Sequence, residues 1–217
     1  VYKRQVTKGV GTTLQNIALL IGLGSMFGQI LEESGGAKKI AQTFIDTFGQ
    51  GHSSWALGIT GLVIGTTVFF EAGVVVLIPL AFSVASQTKK STLYYGIALL
   101  AGLAAGYAFV PPSAGSVLVA GTLGVDLGTM ILVGIPTAFI AMAIAGVIWG
   151  RNVGSRIFTD VPEHFTSAEG ASDEKELPSF GMVLAIVLTP LCLILLGTLS
   201  SYIPMPVSYT HLRAHET

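Results

Sequence analysis

The sequence predicts an all-α polytopic membrane protein, and composition and charge placement are the observations behind this fold class. Hydrophobic residues make up 51% of the 217 residues, whereas charged residues make up only 11%, against about 25% in an ordinary soluble domain. The mean hydropathy is +0.72. Long stretches with at most one charge cover residues 9–31, 54–88, 91–150 and 177–205. Apolar stretches of about 18 residues or more are typical of membrane-spanning helices.

This composition excludes several classes of protein. So few charges cannot cover a soluble surface, and the chain lacks the polarity of disordered or nucleic-acid-binding proteins. The net charge of −1 carries little information. The single cysteine, Cys192, lies in an apolar run, which excludes a scaffold of intrachain disulfides.

The two ends differ from the sequence that they adjoin. Residues 1–5 and 206–217 resemble peptides that arise when a sequencing adapter is translated, and we interpret them as non-native flanks. A native polar tail is the alternative. We expect residues 6–205 to be a fragment of a larger protein.

Two segments precede the long apolar centre. Residues 10–31 predict the first span, in which Gly22, Gly24, Ser25 and Gly28 recur at a spacing that allows close helix contact. Residues 35–53 predict a short interfacial helix, because apolar residues recur at helical spacing opposite Lys38, Lys39 and Asp46.

Residues 54–86 are too long for one span and short for two with an ordinary loop. A polar, glycine-flanked sequence, GTTVFFEAG, occupies their centre at residues 65–73. We predict a re-entrant hairpin whose tip lies at membrane depth, where protein or a cavity can satisfy irregular backbone. Two full spans are the alternative, and the topology beyond this point is the same for both.

The remaining segments are a broken helix, a span, a linker and a last span. Pro111 and Pro112 forbid a continuous helix through residues 92–124, so we predict an unwound middle. Residues 127–150 predict a span anchored by Trp149, residues 151–178 a polar cytoplasmic linker, and residues 179–205 a transmembrane helix. The basic pairs Lys38/Lys39, Lys89/Lys90 and Arg151/Arg156 should share the cytoplasmic side.

Two interrupted membrane segments within one half of a protein indicate a transporter binding site, because freed amides and helix N-termini attract anions. The predicted substrate-binding residues are Thr66, Thr67, Ser113, Gly115 and Ser116. Hydroxyls and bare amides suit a small hydroxylated carboxylate. The alternative role of these residues is helix packing.

Glu71 and Asp126 are the only charges in the two longest apolar stretches and are the candidates for proton coupling. We expect Glu71 to be strongly desolvated, since it follows two phenylalanines. Asp126 has an alternative role as the N-cap of the following helix. The sequence contains no metal-ligand spacing, nucleophile elbow or phosphate loop, so we predict neither an enzyme nor a cofactor.

Several blocks closely resemble the gluconate permease family of proton symporters. They are residues 21–37 (IGLGSMFGQILEESGGA), 69–80 (FFEAGVVVLIPL), 109–112 (FVPP) and 124–128 (GVDLG). The resemblance covers residues 6–205, roughly the first half of such a permease. It implies uptake of gluconate or a related sugar acid or hydroxy acid with a proton. It also implies one repeat of an inverted-repeat transporter of the ion transporter superfamily.

The site loop is the least typical part of the chain. Many family members carry a histidine where this chain has Tyr107, and continue the double proline differently from Ser113-Ala114. These departures leave the identity of the acid open.

We therefore predict a secondary transporter of the bacterial inner membrane. Its partners would be a small anionic substrate, a proton and the lipid bilayer, with no nucleic acid, and the full-length protein could form a homodimer. The alternative is a non-transporting or channel-like membrane subunit.

Overall fold

The computed structural model describes residues 2, 4–11, 22, 26, 29–31, 33–162 and 177–202. Most of the predicted first span, half of the linker and the flank at residues 206–217 lie outside these residues. The described secondary structure is helical, which confirms the predicted fold class. Helices long and apolar enough to cross a membrane are Phe70–Thr88, Thr92–Phe109, Leu127–Arg156 and Phe180–Ser200.

Helices cover most of the described residues. Their bounds are α1 Gly36–Phe48, α2 Ser53–Gly65, α3 Phe70–Thr88, α4 Thr92–Phe109, α5 Ala114–Leu123, α6 Leu127–Ala141, α7 Trp149–Arg156 and α8 Phe180–Tyr202. Residues Met142–Ile148 join α6 to α7 as a π-helical stretch, so this helix continues beyond the predicted end at residue 150. Two breaks, at residues 66–69 and 110–113, separate α2 from α3 and α4 from α5.

Glycines bring the backbones of α2 and α4 into direct contact. A Cβ built on Gly102 would collide with the carbonyl oxygen of Gly58, and one on Gly106 would collide with that of Leu62. Gly58 also lies against Ala98, whereas Gly65, later in α2, lies against Gly106. Later residues of α2 therefore contact later residues of α4, so the two helices run parallel.

The other long helices run against α4. Gly73 of α3 lies beside Leu103, whereas Lys90, just after α3, lies over the ring of Tyr94 at 4.7 Å. Since α2 is parallel to α4 and α3 is antiparallel to it, α2 and α3 form a helical hairpin. The helix formed by α6 and α7 is also antiparallel to α4, because Gly134 packs on Phe109 and Gly150 packs on Ile97.

Basic residues gather at one end of this bundle. The guanidinium of Arg151 lies 5.9 Å from the Tyr94 ring that also holds Lys90, so two of the predicted basic pairs share this end. We call it the basic end. Helix α8 starts near it and reaches Asp126 at the opposite end, where the Thr198 hydroxyl donates to Oδ2 of Asp126 at 2.9 Å.

The two breaks lie at one level of the bundle. Gly65, at the end of α2, faces Gly106 one turn before α4 ends. Gly134 then lies against the carbonyl of Phe109. It is seven residues, or about 10 Å, beyond the start of α6 and fifteen residues, or about 22 Å, before Trp149.

The amphipathic character predicted for residues 35–53 is present in α1, but protein covers its apolar face. Ile40 and Ala41 are fully buried, and the ring of Phe44 packs edge-on against Phe180 of α8 at 5.8 Å. Lys38 remains exposed on the other face. Because α8 follows α1 by more than 130 residues, only the tertiary structure could show this contact.

Candidate functional site

Helices α3 and α5 begin at the two breaks, and no side chain caps the N-terminus of either helix. In α3, the amide of Gly73 is the first to bond back within the helix, to the carbonyl of Phe69. In α5, the amide of Val117 bonds to the carbonyl of Ser113 at 3.1 Å. The amides of the first turns, residues 70–72 and 114–116, therefore have no acceptor within their helices. Both termini carry partial positive charge, which favours an anion.

The threonine hydroxyls at the first break bond to the backbone of α2. Thr66 Oγ1 donates to the carbonyl of Val63 at 2.8 Å, and Thr67 Oγ1 donates to that of Ile64 at 3.2 Å. These bonds extend the end of α2 into the break and engage the hydroxyl protons. In this conformation each threonine offers lone pairs, not a free donor, towards the break.

The serines at the second break bond to each other. Ser113 Oγ and Ser116 Oγ are 2.7 Å apart, and Ser116 Oγ lies 3.0 Å from the carbonyl oxygen of Ser113. Ser116 is fully buried and Ser113 nearly so. Gly115 is exposed, with no atom within 4 Å of the place where a Cβ would stand. The open part of this terminus is therefore the backbone around Gly115.

An aromatic pair connects the two breaks. The rings of Phe69, the residue before α3, and Tyr107, in the last turn of α4, lie 6.1 Å apart. The sequence alone indicated no role for either ring in joining the breaks, although the block FFEAG places an aromatic residue directly before the helix start. Their contact depends on α4, more than thirty residues later, and is not visible as a local pattern.

Glu71 lies in the first turn of α3 and is exposed. The described residues therefore do not bury it, in contrast to the desolvation that we expected from its neighbours in sequence. The α3 dipole favours a carboxylate at this position. Glu71 thus stabilises the start of α3 and also lies beside the first break.

Asp126 is the N-cap of α6, as the alternative role proposed. Its Oδ2 accepts the amide of Thr129 at 3.0 Å, and Thr198 of α8 donates to both carboxylate oxygens. The hydrogen bond from the Thr129 amide, followed by that from the Thr198 hydroxyl, lowers the pKa of Asp126. Gly128 permits this approach, since a Cβ there would collide with Thr198. A carboxylate held ionised in this way suits capping better than proton exchange.

A family model described as "GntP family permease" matches residues 2–212, almost the whole chain. The chain belongs to the GntP permease family. No solved structure matches this member of the family.

Several curated relatives are at least 34% identical to the chain over the residues that align with it. A low-affinity gluconate transporter of Escherichia coli K12 is 38% identical over 194 residues, and a gluconate permease of Pseudomonas aeruginosa is 40% identical over 192 residues. These alignments cover 89% and 88% of this chain but 43% and 42% of the relatives. An L-idonate transporter of E. coli K12 is 34% identical over 87% of the chain and 42% of its own length. The GntP chain described here thus spans about two fifths of these relatives.

Proposed function

We propose that the full-length protein takes up gluconate or a related small sugar acid or hydroxy acid together with a proton, across the bacterial inner membrane. The chain described here would supply one half of the substrate site. The named substrates of its relatives, gluconate and L-idonate, support a hydroxylated carboxylate.

The observation that carries this proposal is the pair of uncapped helix N-termini at one level of the bundle. The starts of α3 and α5 combine free amides with positive ends of helix dipoles. The exposed backbone amide at Gly115 would donate to the carboxylate of the substrate, and the hydroxyl oxygens of Thr66 and Thr67 would accept hydrogen bonds from its hydroxyl groups. Ser113 and Ser116, which bond to each other, would shape the second break.

We assign proton coupling to Glu71 and a mainly structural role to Asp126. Glu71 adjoins the first break and is exposed in this chain, so the part of the full-length protein beyond this chain would have to cover it. Protonation would then remove the negative charge of the Glu71 carboxyl group, which is costly inside the membrane.

The same geometry favours a re-entrant hairpin for α2 and α3. With 13 residues, α2 is about 20 Å long, which is short of the roughly 30 Å hydrocarbon core. The level of the breaks, about 10 Å from the start of α6, would then lie inside the membrane. The length of α3 alone would also allow a full span.

A channel-like protein is the second candidate, and the long helix α6–α7 argues against it. Between residues 132 and 148 its exposed large side chains are apolar: Leu132, Val133, Ile135, Phe139, Ile140, Ile144 and Ile148. A pore would instead favour a polar stripe along one continuous helix. Polar groups in this chain are concentrated at the two breaks.

Uptake by the full-length permease in proteoliposomes tests the function. With an inward proton gradient of one pH unit, electroneutral symport should accumulate labelled gluconate about tenfold. Parallel assays with glycerate and lactate would identify the acid. A protonophore should abolish accumulation. Equilibration that a protonophore does not change would instead support the channel-like alternative.

Orientation is tested by cysteine labelling in a Cys192→Ser background. Lys89→Cys and Asp160→Cys, at the basic end, should react with an impermeant maleimide only from the cytoplasmic face. Val125→Cys, exposed at the opposite end, is the matched control and should react only from outside. Labelling of position 89 or 160 from outside would contradict the proposed topology.

A further inference from the structure

We propose that the basic end carries a binding site for the phosphate group of an anionic membrane phospholipid. The site is a cavity of about 550 Å³ between the end of α3 and the segment that follows α7. Its lining includes Ser86, Lys89, Lys90, Phe158, Asp160 and Val161. We call this cavity the headgroup pocket. This proposal does not depend on the identity of the transported substrate.

Hydrogen bonds over a long sequence distance fix the wall of the headgroup pocket. Ser91 Oγ donates to the carbonyl of Ile157 at 2.8 Å and accepts the amide of Thr159 at 3.2 Å. The amide of Thr92 donates to the carbonyl of Thr159 at 3.0 Å. The segment that carries Phe158 and Asp160 is thereby attached to the start of α4. A wall held in this way lowers the entropic cost of binding a ligand.

The charges around the pocket favour an anion. Lys89 and Lys90 line it, and the guanidinium of Arg151 lies 5.9 Å from the Tyr94 ring that Lys90 also contacts. Asp160 is the one carboxylate in the lining, and it forms no ion pair with any residue that the structure describes. The Nε atom of Arg151 is buried without a hydrogen-bond partner among those residues. Arginine and lysine side chains are the usual donors to phosphate.

The position of the pocket favours a lipid as the source of the phosphate. It lies at the end of the apolar helix α3, at the end of the bundle that carries the basic residues. Ile157 and Phe158 beside it are more than half exposed. Apolar side chains next to lysines match the boundary between acyl chains and headgroups. A freely dissolved phosphate would use the cations but not the apolar side chains.

Native mass spectrometry of the full-length permease, released from nanodiscs that contain phosphatidylglycerol and phosphatidylcholine, tests the site. The parent protein should retain phosphatidylglycerol. The variant Lys89→Gln/Lys90→Gln should bind it about 25-fold more weakly, because each cation near an anionic surface contributes about fivefold. The control Lys38→Gln/Lys39→Gln removes the same charge from α1, away from the pocket, and should change affinity less than twofold. Equal losses in both variants, or no loss in the first, would overturn the proposal.

Two further measurements test the site without changing its charge. They also distinguish the phosphate of a lipid from dissolved phosphate. Inorganic phosphate at millimolar concentration should not displace the lipid, and displacement would favour a soluble anion and overturn the lipid assignment. In a Phe158→Trp variant, which keeps every charge, brominated phosphatidylglycerol should quench the added fluorescence more than brominated phosphatidylcholine does. Equal quenching by the two lipids would contradict a specific site.

Discussion

Replacing Glu71 with glutamine should abolish proton-driven accumulation by the full-length permease. The internal concentration of substrate should fall from about tenfold above the external value, at one pH unit of gradient, to equality. Glutamine keeps the size of the side chain and its position in the first turn of α3, but it cannot take up or release a proton. The measurement is the steady-state ratio of labelled substrate in proteoliposomes, with simultaneous recording of external pH.

Asp126→Asn is the matched control for this prediction. It also removes one carboxylate at a helix start, but asparagine is a good N-cap and can still accept the Thr129 amide. Accumulation should therefore stay within a few-fold of the parent. If Glu71→Gln accumulated substrate normally and still alkalinised the medium, Glu71 would have only a structural role. Coupling would then have to be sought in the part of the permease beyond this chain.

Gly102→Ala should strongly destabilise the contact between α2 and α4. The added methyl group would collide with the carbonyl oxygen of Gly58 and would approach the amide of Leu62 to 2.9 Å. Backbone atoms cannot rotate away as a side chain can, so the two helices must separate. We expect a loss of about 3 kcal/mol in the free energy of unfolding. Thermal unfolding of the detergent-solubilised permease, followed by size-exclusion chromatography, would measure it.

Gly96→Ala provides the control on the same helix. No atom lies within 4 Å of the position that its Cβ would take. Alanine should therefore be neutral or should stabilise α4 by up to about 1 kcal/mol through its higher helix propensity. Similar thermal stability of Gly102→Ala and Gly96→Ala would contradict the close backbone contact.

The order of elements could be predicted from the sequence because each signal is local. Apolar length predicted the helices, and Pro111-Pro112 predicted the break that ends α4 at Phe109. The N-cap role of Asp126 also followed from its place before an apolar run. The exposure of Glu71 among the described residues could not be predicted from the sequence, because burial depends on which helices pack around α3.

The residues alone indicate that the chain is helical and apolar, that two of its segments are interrupted, and which family it belongs to. These properties depend on composition, on proline and glycine positions, and on residue order. The tertiary structure alone decided that the breaks share a level, since that follows from α2 lying parallel to α4 with Gly65 facing Gly106. It also decided that Ser91 holds residues 157–159, sixty-six and more positions later. Such contacts depend on how helix surfaces fit together, and no local spacing of residues encodes that fit.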